Sequence, residues 1–205
     1  MTVLHLGDDE NRFSPEWLQR VHSTLDEVAD VLVTTGGGKF YSNGLDLEWL
    51  MANADKAAEY VAEVQELFAR VLTLPVPTVA AINGHAFGAG AMLAMAHDFR
   101  VMRSDRGYFC FPEADINIPF TPGMAALIQG KLTPAAAVAS MTTGRRFGGA
   151  DALSFGLVDE IAAEGDVVRV ASERVSALAG KDRGTLGAIK ATMFAPAVTA
   201  LRTPA

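Results

Sequence analysis

With 205 residues, 50% of them hydrophobic and 20% charged, the chain is long enough for one domain with a real core and too apolar for intrinsic disorder. A net charge of -7 and a pI near 5.0 argue against binding nucleic acid through its phosphates. The single cysteine, Cys110, excludes an internal disulfide and supplies no metal-ligand cluster.

Asp8, Asp9 and Glu10 stand where a secretory segment would be apolar, and one cysteine fits a reducing compartment, so a cytoplasmic location is expected. Residues 71–97 carry no formal charge. Pro75, Pro77, Asn83, His85 and the glycines Gly84, Gly88 and Gly90 interrupt that run, so no membrane span is expected there.

Residues 2–6 alternate weakly, as a short edge strand does. Ser14-Pro15-Glu16-Trp17 reads as a helix start, with Ser14 as N-cap and Pro15 at the first helical position. Trp17, Leu18, Val21, Leu25 and Val28 follow at helical spacing and predict a core-facing stripe. Residues 30–35 predict a strand closed by Gly36-Gly37-Gly38, and Lys39-Phe40 does not supply the Lys-Ser/Thr of a phosphate-binding loop.

Phe40-Tyr41-Ser42-Asn43-Gly44-Leu45-Asp46-Leu47 reads as a loop in which Gly44 permits a turn and Asp46 caps the helix after it. Residues 55–74 predict a long helix with Ala58, Val61, Val64, Leu67, Phe68 and Val71 on its apolar face. Pro75 and Pro77 end it and lead into the strand Thr78-Val79-Ala80-Ala81-Ile82. A glycine-bearing turn follows, and then a helix beginning near Gly88, whose first N–H groups have no partner within the helix and suit a developing negative oxygen.

Residues 98–102 and 108–111 predict two more strands, so strands alternate with helices in a β-α layered fold. Glu113, between Phe111, Pro112, Ala114 and Ile116, is a candidate base, because an apolar setting raises a carboxylate's pKa toward neutrality. Asp115 is the competing carboxylate, read as a turn or cap residue. Beyond Pro122 the pattern is helical at 125–129, 134–141, 150–155, 167–178 and 186–194, with a basic loop at 143–147 and an edge strand near 157–161.

These segments, in this order, resemble the crotonase family of enoyl-CoA hydratases and isomerases. Residues 40–47 are similar to its Phe-Ser-x-Gly-x-Asp-Leu loop, and residues 77–90 match its Pro-x-Ile-Ala-Ala-Val-x-Gly-x-Ala-x-Gly-x-Gly signature closely. Asp98, the pair Pro112-Glu113, and Gly144-Arg145-Arg146-Phe147 with Ala150, Ala152 and Gly156-Leu157-Val158-Asp159 fall at later family positions. The resemblance implies an α/β fold: a crotonase-like ββα spiral core over about residues 1–140 and a helical C-terminal region over about 141–205, in one domain.

It also implies an acyl-CoA thioester as substrate, no separate cofactor beyond the coenzyme A of that substrate, no metal, no nucleic-acid partner, and assembly as a homotrimer or dimer of trimers. Carried over by position, the backbone N–H groups of Leu45 and Ala89 form an oxyanion hole, each worth roughly 3–4 kcal/mol to the transition state. Lys39, Phe40, Ser42, Gly44, Asp46, Gly88 and Met92 fall at substrate-binding positions. Lys39 and Arg146 either meet CoA phosphates or are solvated charge, His85 is read as a packed turn residue, and Lys190 resembles in placement a C-terminal basic residue near the adenine.

One departure decides the expected reaction. Family hydratases carry two glutamates, and the first of those positions is Met92 here, which can neither orient a water nor accept a proton. A lone Glu113 suffices for moving a double bond, and the wording of both loops is most like the Δ3,Δ2-enoyl-CoA isomerase branch. The alternatives are hydration or another crotonase-type reaction on an acyl-CoA thioester, and a non-catalytic acyl-CoA-binding subunit. The chain is short for the family at both ends, so the helices that cover the acyl pocket beyond Lys190 are expected to be missing or supplied by a neighbour.

Overall fold

The computed structural model describes residues 1–204. Its chain runs as repeated strand–strand–helix turns. The first turn is β1 (Thr2–His5), β2 (Arg12–Phe13) and α1 (Pro15–Glu27). The second is β3 (Leu32–Thr35), β4 (Phe40–Ser42), β5 (Gly44–Leu45), α2 (Leu47–Ala52) and α3 (Ala57–Leu72). Then come β6 (Thr78–Ile82), β7 (His85–Phe87) and α4 (Ala89–Ala96), followed by β8 (Phe99–Arg103), β9 (Phe109–Cys110) and α5 (Glu113–Ile116). The rest is α6 (Pro122–Lys131), α7 (Pro134–Met141), α8 (Gly149–Ser154), β10 (Glu160–Ala162), α9 (Val167–Ser176), α10 (Arg183–Met193) and α11 (Ala195–Arg202).

The first strand of each turn joins one parallel sheet of order β1-β3-β6-β8-β10, while the second strands form the small parallel sheets β2-β5 and β4-β7-β9. This is the ββα spiral that the sequence leads one to expect. At its centre β6 is apolar throughout because both faces are covered. Val79 and Ala81 pack with Val167, Ala171 and Val175 of α9, whereas Ala80 and Ile82 belong to the main core.

Several details differ from the sequence reading. The strands β4, β5 and β7, of two or three residues each, fall where the sequence predicts loop and turn, and β2 lies in a stretch with no predicted element, because such lengths leave no readable alternation. The buried stripe of α3 keeps the predicted Val64, Leu67, Phe68 and Val71 but begins with Tyr60, because Ala58 in the first turn is exposed and Val61 half-buried. The chain also continues past the Lys190 helix as α11, whose Ala197 and Leu201 are buried where it lies on α3 and α6. Residues 71–97 are the end of α3, two strands and a short helix, and no single described helix is long and apolar enough to cross a membrane.

Candidate active site

Two glycine-bearing turns and one carboxylate converge at the start of α4. Gly44 adopts φ +81°, and a Cβ there would stand 2.9 Å from both the Ala89 nitrogen and the Phe87 oxygen, so only glycine lets the β5 strand lie against the α4 turn. Gly88, the N-cap of α4, has φ +51° and ψ -123° and offers no side-chain cap. The first i→i−4 bond of the helix runs from the Met92 N–H to the Gly88 carbonyl, so the N–H groups of Ala89, Gly90 and Ala91 precede the helical ladder.

Glu113 faces this helix start. Its Oε1 lies 3.5 Å from where a Gly88 Cβ would be. The side chain is held there by its place at the first position of α5, after the N-cap Pro112 and the buried Phe111 that follows β9. Glu113 is 8% exposed, and its buried Oε2 has no hydrogen-bond partner. Burial pushes its carboxyl from the usual range up to about 7. Beside it opens a recess of about 510 Å³ lined by Glu113, Asn117, Ile118, Phe120 and Met141. An unsatisfied, half-ionised carboxylate opposite unpaired amides can exchange a proton with a carbon acid while its conjugate anion is stabilised.

The other sequence-assigned residues separate into groups. Leu45 is half-buried on β5 beside the α4 turn, and Asp46 caps α2 by accepting the Trp49 N–H at 3.0 Å. Ser42 is fully buried, with its hydroxyl donating to the Asn11 carbonyl at 2.7 Å and accepting the Gly44 N–H at 3.1 Å, so it sits behind the loop as its anchor. Met92 is 1% exposed inside α4. Lys39 is exposed over the Phe40 ring and Arg146 over the Phe87 ring, and both flank His85, whose ring lies on β7 among Phe40, Phe87 and Tyr108. Burial and these cations lower the His85 pKa.

Asp115 is exposed, on the solvent side of α5. Lys190 is a correction. Its ammonium is buried, donating to Asp98 Oδ2 at 2.6 Å and to the Val76 carbonyl at 2.7 Å, and Asp98 also accepts the Thr78 N–H. That lysine closes an ion pair between α10 and the residue just before β8, and its ammonium is engaged by protein groups. Among the described residues no three His, Cys, Asp or Glu side chains form a metal-holding group.

Sequence reasoning missed Tyr60. Its hydroxyl accepts the Asp46 N–H and donates to the Phe13 carbonyl, each at 2.9 Å. The available signal was a residue with a polar tip in phase with Val64, Leu67 and Phe68.

The family model for enoyl-CoA hydratase/isomerase matches residues 10–204. The chain is 38% identical over 183 residues to the peroxisomal enoyl-CoA delta isomerase 2 of Arabidopsis thaliana, covering 82% of this chain and 76% of that protein. Its structure superposes with a TM-score of 0.90 on a probable enoyl-CoA hydratase from Mycobacterium tuberculosis, at 30% identity and over 98% of this chain and 88% of that one. It shares the fold of human mitochondrial delta3-delta2-enoyl-CoA isomerase, with a TM-score of 0.86 at 23% identity over 92% of this chain and 76% of that one. Spiral fold, family model and relatives agree, and the chain belongs to the enoyl-CoA hydratase/isomerase family.

Proposed function

We propose that the protein is a Δ3,Δ2-enoyl-CoA isomerase with Glu113 as its single base. The observation that carries this is a buried carboxyl with an unpartnered oxygen and a pKa near 7, facing the unpaired amides at the start of α4. The similarity to plant enoyl-CoA delta isomerases supports the same reading.

In this mechanism the Glu113 carboxylate takes a proton from C2 of a 3-enoyl-CoA. The C–H electron pair becomes the C1–C2 double bond of a dienolate, and negative charge gathers on the thioester oxygen. The N–H groups of Leu45 and Ala89 receive that charge. The Glu113 acid then returns its proton at C4: the C3–C4 π pair forms the new C4–H bond, the C1–C2 π pair moves to C2–C3, an oxygen lone pair restores the thioester carbonyl, and trans-2-enoyl-CoA leaves with its composition unchanged. Hydration is disfavoured because the buried Met92 stands at the position of the family's first glutamate, and a thioether can neither orient a water nor take its proton. Assembly as a homotrimer or dimer of trimers belongs to this reading, supported by the exposed apolar Ile116, Ile118 and Val138 on α5, the loop after it and α7.

The test supplies cis-3-hexenoyl-CoA to the purified protein and follows the conjugated 2-enoyl thioester, for the wild type and for Glu113→Gln. Conversion by the wild type with a loss of about a hundredfold or more in the variant is the expected result. Conversion that survives the variant, or hydration of crotonyl-CoA lost with Glu113, overturns it.

A further inference from the structure

The Leu45 amide lies between two anchored neighbours. One residue before it, the Gly44 N–H is held by the Ser42 hydroxyl, which donates onward to the Asn11 carbonyl. One residue after it, the Asp46 N–H is held by the Tyr60 hydroxyl, which donates onward to the Phe13 carbonyl. Both hydroxyls therefore bridge an amide of the Leu45 segment to a carbonyl of the β2 segment, where Phe13 stands in register with Leu45. Successive peptide groups along an extended segment point to opposite sides. Since the amides of residues 44 and 46 both turn toward the β2 side, the one between them turns away from it, to the side where Gly44 meets the Ala89 nitrogen.

Tyr60 suits this work. It is 4% exposed on the long helix α3, its ring lies 5.2 Å from that of Trp49, and Trp49 is itself tied to the Asp46 cap. Burial raises its phenol to about 12, so the hydroxyl keeps the proton it donates to Phe13. Loss of that oxygen leaves the Asp46 N–H without its side-chain acceptor and loosens the peptide plane that follows Leu45, which then keeps the long 3.4 Å bond from Arg12 Nη1 to the Leu45 carbonyl.

We infer that Tyr60 is a positioning residue: with Ser42 it fixes the peptide planes on either side of the Leu45 N–H and so aims that donor at the thioester oxygen. This rests on the proposed oxyanion hole. A rigid helix thereby orients a donor carried on a two-residue strand, which would otherwise reorganise at the moment charge develops.

The experiment compares wild type, Tyr60→Phe and Ser42→Ala, with Ser140→Ala as a control that removes a buried hydroxyl bond inside α7. Two readouts are taken: kcat and KM for cis-3-hexenoyl-CoA, and the red shift of a bound push–pull arylacryloyl-CoA, which grows as its carbonyl accepts stronger hydrogen bonds. For Tyr60→Phe we expect kcat to fall about tenfold or more, KM to stay within about threefold, and the red shift to shrink. The Ser140 control should lose thermal stability only. A Tyr60→Phe enzyme with wild-type kcat and red shift overturns the inference and leaves the isomerase reading intact. A wild type that shifts the probe but does not isomerise, with the shift lost in Tyr60→Phe, supports the inference and overturns the isomerase. A wild type that does neither overturns both. Should Tyr60→Phe fail to fold, Ser42→Ala breaks the other anchor and is read by the same criteria.

Discussion

Two buried ionisable sites of this molecule are built in opposite ways. At one, Lys190 has its ammonium on Asp98 and on the Val76 carbonyl, and Asp98 is further occupied by the Thr78 N–H. At the other, Glu113 keeps an oxygen with no partner although protein surrounds it. Removing charge from water is costly in both places, and only the first site compensates it with hydrogen bonds. The second leaves the cost standing, and the result is a carboxyl that titrates near 7. The paired charge ties α10 to the segment entering β8, whereas the unpaired one is chemically available. An ionisable side chain buried without partners marks the site more sharply than burial alone.

The contrast can be broken from either side. Lys190→Ala leaves the partly buried Asp98 with the Thr78 N–H but without its cation and should cost about 2–3 kcal/mol in denaturant unfolding, with kcat and KM of the folded fraction within about twofold of wild type. A raised KM instead would return Lys190 to the coenzyme. Glu113→Gln should do the reverse and stabilise the fold while abolishing turnover. Because its folded pKa of about 7 lies above the ordinary carboxyl value of 4.5, ionisation penalises the folded state increasingly from about pH 4.5 and fully above about 7. The variant should therefore gain up to about 3 kcal/mol at pH 8 and nothing at pH 4, as unfolding at the two pH values would reveal.

The same carboxyl sets the pH profile. The base must be ionised, so kcat/KM should level off above about pH 7 and fall about tenfold per unit below it. A flat profile from pH 5 to 8 would move the base elsewhere. The smallest effect is expected at Asp115, exposed on the same short helix, where Asp115→Asn should leave kcat within about twofold. A large loss there would mean that the exposed carboxylate, and not the buried one, handles the proton.

Much of this protein is determined locally. The all-apolar run of β6, the glycines at 44 and 88, and the proline-flanked helix starts after Ser14 and Thr121 carry their conformations in residue type alone. The fold class and the glycine turns beside Glu113 were therefore legible before any coordinates. Residue type does not determine which polar groups find partners, because partners are distant in sequence. Lys190 meets Asp98 across 92 positions, and the Tyr60 hydroxyl reaches Phe13 across 47. The strands β2, β5 and β7 are likewise too short to show a period, and exist because neighbouring turns of the spiral supply their hydrogen bonds. The sequence by itself determined the alternation of strands and helices and the glycine turns, since those depend on apolar pattern and backbone freedom, while the spiral was legible only through the family resemblance. Only the tertiary structure decided which buried charge is satisfied and which is left reactive, since that depends on hydrogen-bond partners brought together by folding.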